Sequence, residues 1–308
     1  MSAAFGAIAP VFLLLALGFA LGRRQFPAVG FWPAVERLVY WCLFPALLLR
    51  TTAGVESGGA VMLGIALAVL GPIGLVMTLV TLGAPLLGLA GRMIPAVAQA
   101  ATRQNVYIAF AAAQGLWGEP ALAPLAIAVA AYVPGVNVAS ALLLGLHAAT
   151  RPRPAVLARA LLLNPLVLAS AAGLVLGQTG WHPPFVLDET LRVLAMASLP
   201  LALLATGAGL VWRGAGGREL AWLAAASAFK LAGLPLLTLA TALALGLPPL
   251  PLAVVVLFAS LPLSPTAYVQ TRAMGGHAGF MANAVALQTL LAMASLPVVM
   301  GLLESWNP

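Results

Sequence analysis

Apolar stretches of about twenty residues alternate along the chain with short polar or Pro/Gly-rich breaks, ten times over. A bilayer core of about 30 Å takes roughly 20 apolar residues in helical form. The pattern therefore predicts ten spanning helices, near residues 5–22, 34–53, 59–82, 98–117, 121–147, 156–178, 187–211, 219–246, 251–271 and 279–302. The first has no charge before it and no cleavage site, and Arg23 and Arg24 follow it, so it reads as a span rather than a removable signal peptide.

The pattern repeats. A shift of 155 residues lays "PVFLLLALGFALG" from Pro10 over "PLVLASAAGLVLG" from Pro165, so that Gly18 meets Gly173 and Gly22 meets Gly177. The same shift carries Arg37 onto Arg192 and "PALLL" from Pro45 onto "PLALL" from Pro200. The third helix needs a larger offset, Pro72 matching Pro235, and the fourth and ninth align loosely. Residues 1–150 and 151–308 then form two halves of five spans each. Five is odd, so the second half enters the membrane upside down, an inverted repeat of the kind common in secondary transporters.

Two spans carry the marks of interruption. The ninth holds "LFASLPLSPTAYVQTR", with Pro262 and Pro265 three residues apart. Proline inside a helix costs about 3 kcal/mol. After Ser264, a favoured N-cap, Pro265 falls at the first helical position, where its missing N–H is no loss. The fourth span, "ATRQNVYIAFAAAQGLWG", is the least hydrophobic of the ten, and its Asn105 is likewise a favoured cap, close in the repeat to Ser264 and Thr266. Each half is thus expected to start a fresh half-helix within the membrane. Its first amides point outward unpaired with about +0.5 charge, and two such ends face to face make an anion site.

Composition agrees with the class: 63% of residues are hydrophobic, 7% are charged and the mean hydropathy is +1.07. The net charge of +7 does not indicate nucleic acid, because the basic residues stand singly between apolar blocks. With both termini extracytoplasmic, Arg23, Arg24, Arg37, Arg92, Arg103, Arg151, Arg153, Arg159, Arg213, Arg218 and Arg272 fall in or beside cytoplasmic loops, as the positive-inside rule requires. Only Arg50 and Arg192 fall at the other face, where the acids Glu56, Glu119, Asp188, Glu189 and Glu304 also lie. Cys42 is the single cysteine, so no intrachain disulfide forms.

Individual polar residues carry competing readings. Pro10, Pro45, Pro72, Pro200 and Pro235 read as kinks or packing, and Gln288 and Thr289 as packing between helices. Asn137 in "YVPGVNVAS" stays open between an interhelical hydrogen bond and a lining role. Lys230 lies about a dozen residues into the eighth span, where a charge costs roughly 2.5–3.5 kcal/mol or more and is functional by default; snorkelling toward the cytoplasm is the alternative. His147, His182 and His277 lack ligand spacing, so no metal site and no cofactor are expected. The acids lie at helix ends or in loops and the histidines do not cluster, which leaves no set of groups for an enzyme.

The segments "APVFLLLALGFALGRR", "RLVYWCLFPALLL", "RQNVYIAF", "LNPLVLASAAGLVLG", "LAMASLPLALLATGAGL", "FKLAGLPLL" and "ASLPLSPTAYVQTRAMGG" together resemble the bacterial members of the auxin efflux carrier family, relatives of the plant PIN carriers. The resemblance implies an all-α membrane protein of ten helices in two inverted five-helix repeats. Helices 1, 2, 6 and 7 would form a scaffold, and helices 3–5 and 8–10 a transport domain that moves elevator-fashion, with helices 4 and 9 crossing where they unwind. Asn105 matches the asparagine at that crossing, although Gln104 precedes it where the plant pattern has proline. The implied substrates are organic anions such as malate, malonate or auxin-like acids. The implied location is a bacterial inner membrane, with homodimerisation through the scaffold.

These strands give one expectation: a secondary transporter of small organic anions working without sodium, its substrate held by Asn105, Tyr107, Asn137, Pro262, Ser264, Pro265, Thr266 and Lys230. A sodium-coupled symporter of the bile acid type and a non-transporting membrane sensor stay open as alternatives.

Overall fold

The computed structural model describes residues 2–54, 58–147, 162–179 and 183–305, and every regular element among them is a helix. The expected charges at Arg151, Arg153, Arg159 and Glu56, the residue His182 and the boundary between residues 150 and 151 lie outside the described residues, as does the side chain of Glu304. The first helix, α1, covers Ser2–Arg23. Then come α2 (Phe31–Leu38), a π-helical turn (Val39–Leu43), α3 (Phe44–Ala53), α4 (Gly59–Leu82) and a short α5 (Ala84–Leu87). The next apolar stretch is cut into α6 (Met93–Thr102) and α7 (Val106–Trp117), and α8 runs over Leu122–His147. The remainder comprises α9 (Pro165–Thr179), α10 (Phe185–Ala208), α11 (Gly217–Ala228), a second π-helical turn (Phe229–Gly233), α12 (Leu234–Ala244), α13 (Pro249–Ala259), α14 (Pro265–Ala273) and α15 (Ala278–Ser305).

Among the described residues, seven helical stretches are long and apolar enough to cross a membrane. The 24 residues of α4 reach about 36 Å at 1.5 Å per residue. Large apolar side chains cover the outside, among them Leu13, Leu63, Leu75, Leu79 and Leu236. Water would not tolerate so continuous an apolar surface on a monomer, and lipid requires it.

The prolines resolve into two kinds. Pro10, Pro72 and Pro200 lie inside unbroken helices. Pro45 and Pro235 each follow a π turn, in which the residue before the proline donates five residues back, Phe44 to Val39 and Leu234 to Phe229. Widening the turn accommodates a residue with no N–H and a bulky ring. The start of α6 also differs from expectation. It begins at Met93 rather than near residue 98, because Pro95 sits in the first turn, where its missing donor would have been unpaired anyway.

Glycines set the closest helix contacts. A Cβ on Gly18 would lie 2.2 Å from the Leu204 carbonyl oxygen, and one on Gly22 2.7 Å from the Ala208 Cα, so α1 meets α10 backbone to backbone. A Cβ on Gly173 would lie 2.4 Å from the Leu49 carbonyl oxygen, and one on Gly177 2.6 Å from that of Ala53, which seats α9 against α3 in the same way. The Arg50–Asp188 ion pair at 3.1 Å joins α3 to α10 beside these contacts. Small residues at helix contacts are the usual means of association in lipid, where no hydrophobic force acts between helices.

Gly18→Ala and Gly173→Ala should each destabilise the protein by about 1–3 kcal/mol through overpacking. Gly71→Ala, where an added methyl meets nothing within 4 Å, should not. Thermal unfolding in detergent reads the difference, and equal midpoints for all three variants would contradict the contact geometry.

Candidate functional site

The chain leaves the helix twice in the middle of apolar surroundings, between Thr102 and Val106 and between Ala259 and Pro265, and the two breaks meet. The Asn105 amide donates to the Pro262 carbonyl at 2.9 Å. On the first side, the Gln104 amide donates to the Tyr132 hydroxyl at 2.7 Å, and Asn105 Oδ1 accepts from the amides of Tyr107 at 3.1 Å and Ile108 at 3.3 Å, capping α7. On the second, the Leu263 amide donates to Gln288 Oε1 at 3.0 Å, and Ser264 Oγ accepts from the Thr266 amide at 3.3 Å, with Pro265 opening α14. The carbonyls exposed by the breaks are also used: Gln288 Nε2 donates to Ala100 O at 2.9 Å, and Lys230 Nζ to Ala259 O at 2.6 Å.

Beside the crossing lies a cavity of about 470 Å³, whose polar wall includes Arg103, Gln104, Tyr107, Asn137, Ser264 and Thr266. Glu36 and Arg37 of α2, Tyr40 of the following π turn, and Asn164 form the facing wall. Asn164 caps α9 as Ser264 caps α14, its Oδ1 accepting from the Leu166 amide at 3.0 Å just beyond Pro165. A second cavity, of about 890 Å³, lies at the other end of α7, where Gln114, Glu119, Arg50 and Arg192 line it. Its arginines are paired with acids, Arg50 with Asp188 and Arg192 with Glu189.

Four of the residues singled out from the sequence, Tyr107, Asn137, Ser264 and Thr266, share the wall of the smaller cavity. Asn105, Pro262 and Pro265 form the crossing behind that wall, and the Asn105 oxygen is taken up by capping. Lys230 is fully buried and stands off the cavity wall, its ammonium on the last carbonyl of α13. That position excludes the snorkelling alternative.

Arg103 requires a correction. Charge counting put it in or beside a loop, yet it is 3% exposed and sits in the break itself. The reason is the early start of α6, which places ten helical residues before it. Its Nη1 donates to Gln99 Oε1 at 3.2 Å and to Gln270 Oε1, and its Nη2 to Asn137 Oδ1 at 2.9 Å. Arg103 Nε, Gln104 Oε1 and Asn105 Nδ2, on three consecutive residues, have no hydrogen-bond partner among the described residues. The signal was present in the sequence, since Arg103 is a charge inside an apolar stretch, the criterion that picked out Lys230.

A family model described as a membrane transport protein matches residues 60–300. No curated protein matches the chain.

Lys230→Met should lower the thermal unfolding midpoint in detergent. It leaves the buried Ala259 carbonyl without its donor, a loss worth about 1–3 kcal/mol. An unchanged midpoint would mean that this carbonyl finds another partner and that the lysine does not hold the break.

Proposed function

The chain belongs to the membrane transport protein family, that of the auxin efflux carriers, and on that premise we propose that it is a secondary carrier of small organic anions whose substrate binds at the crossing of two broken helices. The family is one of transporters rather than enzymes, and the chain is a multi-pass membrane protein. The observation that carries the proposal is the crossing. The first turns of α7 and α14 begin there, each with a capping side chain, next to a cavity that holds a buried arginine. Both helix starts and the arginine favour negative charge.

In this reading the chain has ten spans in two inverted halves, 1–150 and 151–308, lying multi-pass in a bacterial inner membrane with both termini extracytoplasmic. Support for the repeat comes from the glycine contacts. The shift of 155 residues that carries Gly18 and Gly22 onto Gly173 and Gly177 relates Leu204 and Ala208 to Leu49 and Ala53, so it maps one close helix contact onto the other. The breaks have matching support, each releasing an amide that a side chain of the following long helix receives, Tyr132 of α8 and Gln288 of α15.

The glycine-tight group α1, α3, α9 and α10 is then the scaffold, through which the chain dimerises, and α4, α6–α8 and α11–α15 form the moving part. The cavities at opposite ends of α7 are the two access routes of an alternating-access cycle. Tyr107, Asn137, Ser264 and Thr266 line the substrate site, with Asn105, Pro262, Pro265 and Lys230 holding its backbone open. No acid occurs in α6, α7, α13 or α14, so the crossing offers sodium no carboxylate.

Two outcomes are expected. Leaving a negative cytoplasm releases about 2.3 kcal/mol per 100 mV for a monovalent anion, a ratio of roughly fifty. Efflux of a labelled carboxylate from proteoliposomes should therefore follow an imposed potential without sodium. Flux that ignores the potential and requires sodium would favour the symporter alternative. Asn105→Ala removes both caps of α7, each cap substitution being worth about 1 kcal/mol, and should weaken carboxylate binding severalfold in purified, folded protein. Wild-type affinity in that variant would move the site away from the crossing.

A further inference from the structure

The chain passes between the scaffold and the moving part three times, from α3 to α4, from α8 to α9 and from α10 to α11, and only the last passage lies wholly within the described residues. On the scaffold side it is held to the end of its helix. The backbone of Gly207 lies against α1, where an added Cβ would meet the Leu15 carbonyl oxygen at 2.0 Å, and the Leu210 amide still donates to Gly207 O at 3.1 Å. On the other side the chain is caught well before α11 begins. The Arg213 amide donates to Asn283 Oδ1 at 2.7 Å, and Asn283 Nδ2 donates to Gly214 O at 2.8 Å. The Arg213 guanidinium donates to the Tyr268 hydroxyl at 3.3 Å and lies 6.0 Å from the centre of that ring. Asn283 belongs to α15 and Tyr268 to α14, both of the moving part.

Asn283 is fully buried, where an unpaired carboxamide would be costly. Among the described residues its side chain bonds only to this connector. Gly214 takes a φ of 78°, a left-handed conformation that glycine adopts without strain, and Ala215 beyond it packs on the core of the moving part. Between the last scaffold bond and the first bond to Asn283 stand Val211 and Trp212, both about half exposed and without a hydrogen bond among the described residues. Leu210 rests its side chain on the same core, through apolar contact that can slide. A fully extended chain covers at most about 3.6 Å per residue, so Arg213 can stand no more than about 11 Å from Leu210.

We infer that Asn283 fastens the connector to the moving part, leaving Val211 and Trp212 as a hinge whose extended length limits the stroke. The inference rests on the carrier reading and its division into scaffold and moving part, and adds where the two are joined. Asn283 is a positioning residue that acts through the connector and not on the substrate.

Amide hydrogen exchange in the wild-type protein tests the fastening without any substitution. Arg213 should exchange at least about tenfold more slowly than Val211 and Trp212, and equal rates would overturn the fastening. The stroke limit is tested by transport in proteoliposomes, with labelled malonate and labelled indole-3-acetate as probes. Deleting Val211 shortens the reach to about 7 Å, and should cut the transport rate at least about tenfold while equilibrium binding of the same probe stays within about twofold. Adding Asn283→Ala to that deletion releases Arg213 and Gly214 into the tether and should restore most of the rate. An asparagine that served stability alone would make the deletion variant worse when removed, not better. Undiminished transport after the deletion, or no recovery in a double variant whose thermal midpoint shows it to be folded, would overturn the hinge while leaving the carrier reading intact. Failure of wild type to transport either acid would remove the carrier reading, and the stroke limit with it.

Discussion

A hydrogen bond between the Asn105 amide and the Pro262 carbonyl ties together two places where a helix has been cut in apolar surroundings. A lipid interior offers no water to an unpaired N–H or C=O, so broken helices survive there only if the protein supplies every partner. The protein supplies partners through exchanges that span the two breaks. Tyr132 and Gln288 take released amides, Asn105 and Ser264 cap the new helix starts, and Gln288 and Lys230 cover exposed carbonyls. Gln288 serves both breaks at once. Neither break could therefore close into a continuous helix without stranding groups in the other, which makes the crossing a permanent feature of the fold.

Those exchanges also account for which polar groups are left over. Most buried polar side chains near the crossing are consumed in holding it open, and the unspent atoms are Arg103 Nε, Gln104 Oε1 and Asn105 Nδ2. An unsatisfied buried polar group costs about 1–3 kcal/mol, and more when charged. All three stand at the crossing, and two of their residues, Arg103 and Gln104, also line the cavity beside it.

The breaks were legible in the sequence because their chemistry is local. A cap followed by proline, as in Ser264–Pro265, declares a helix start without reference to anything distant. The glycine contacts were half legible, since the shift of 155 residues showed which positions correspond but not that Gly18 faces Leu204. Lys230 announced itself as a charge inside a span, while its partner, the Ala259 carbonyl, lies in another helix and could be found only in three dimensions. The π turns before Pro45 and Pro235 were hidden because other prolines, such as Pro72, pass through an ordinary helix. Arg103 was misplaced because charge counting treats an arginine near a span boundary as a loop residue, and Pro95 disguised where the helix began.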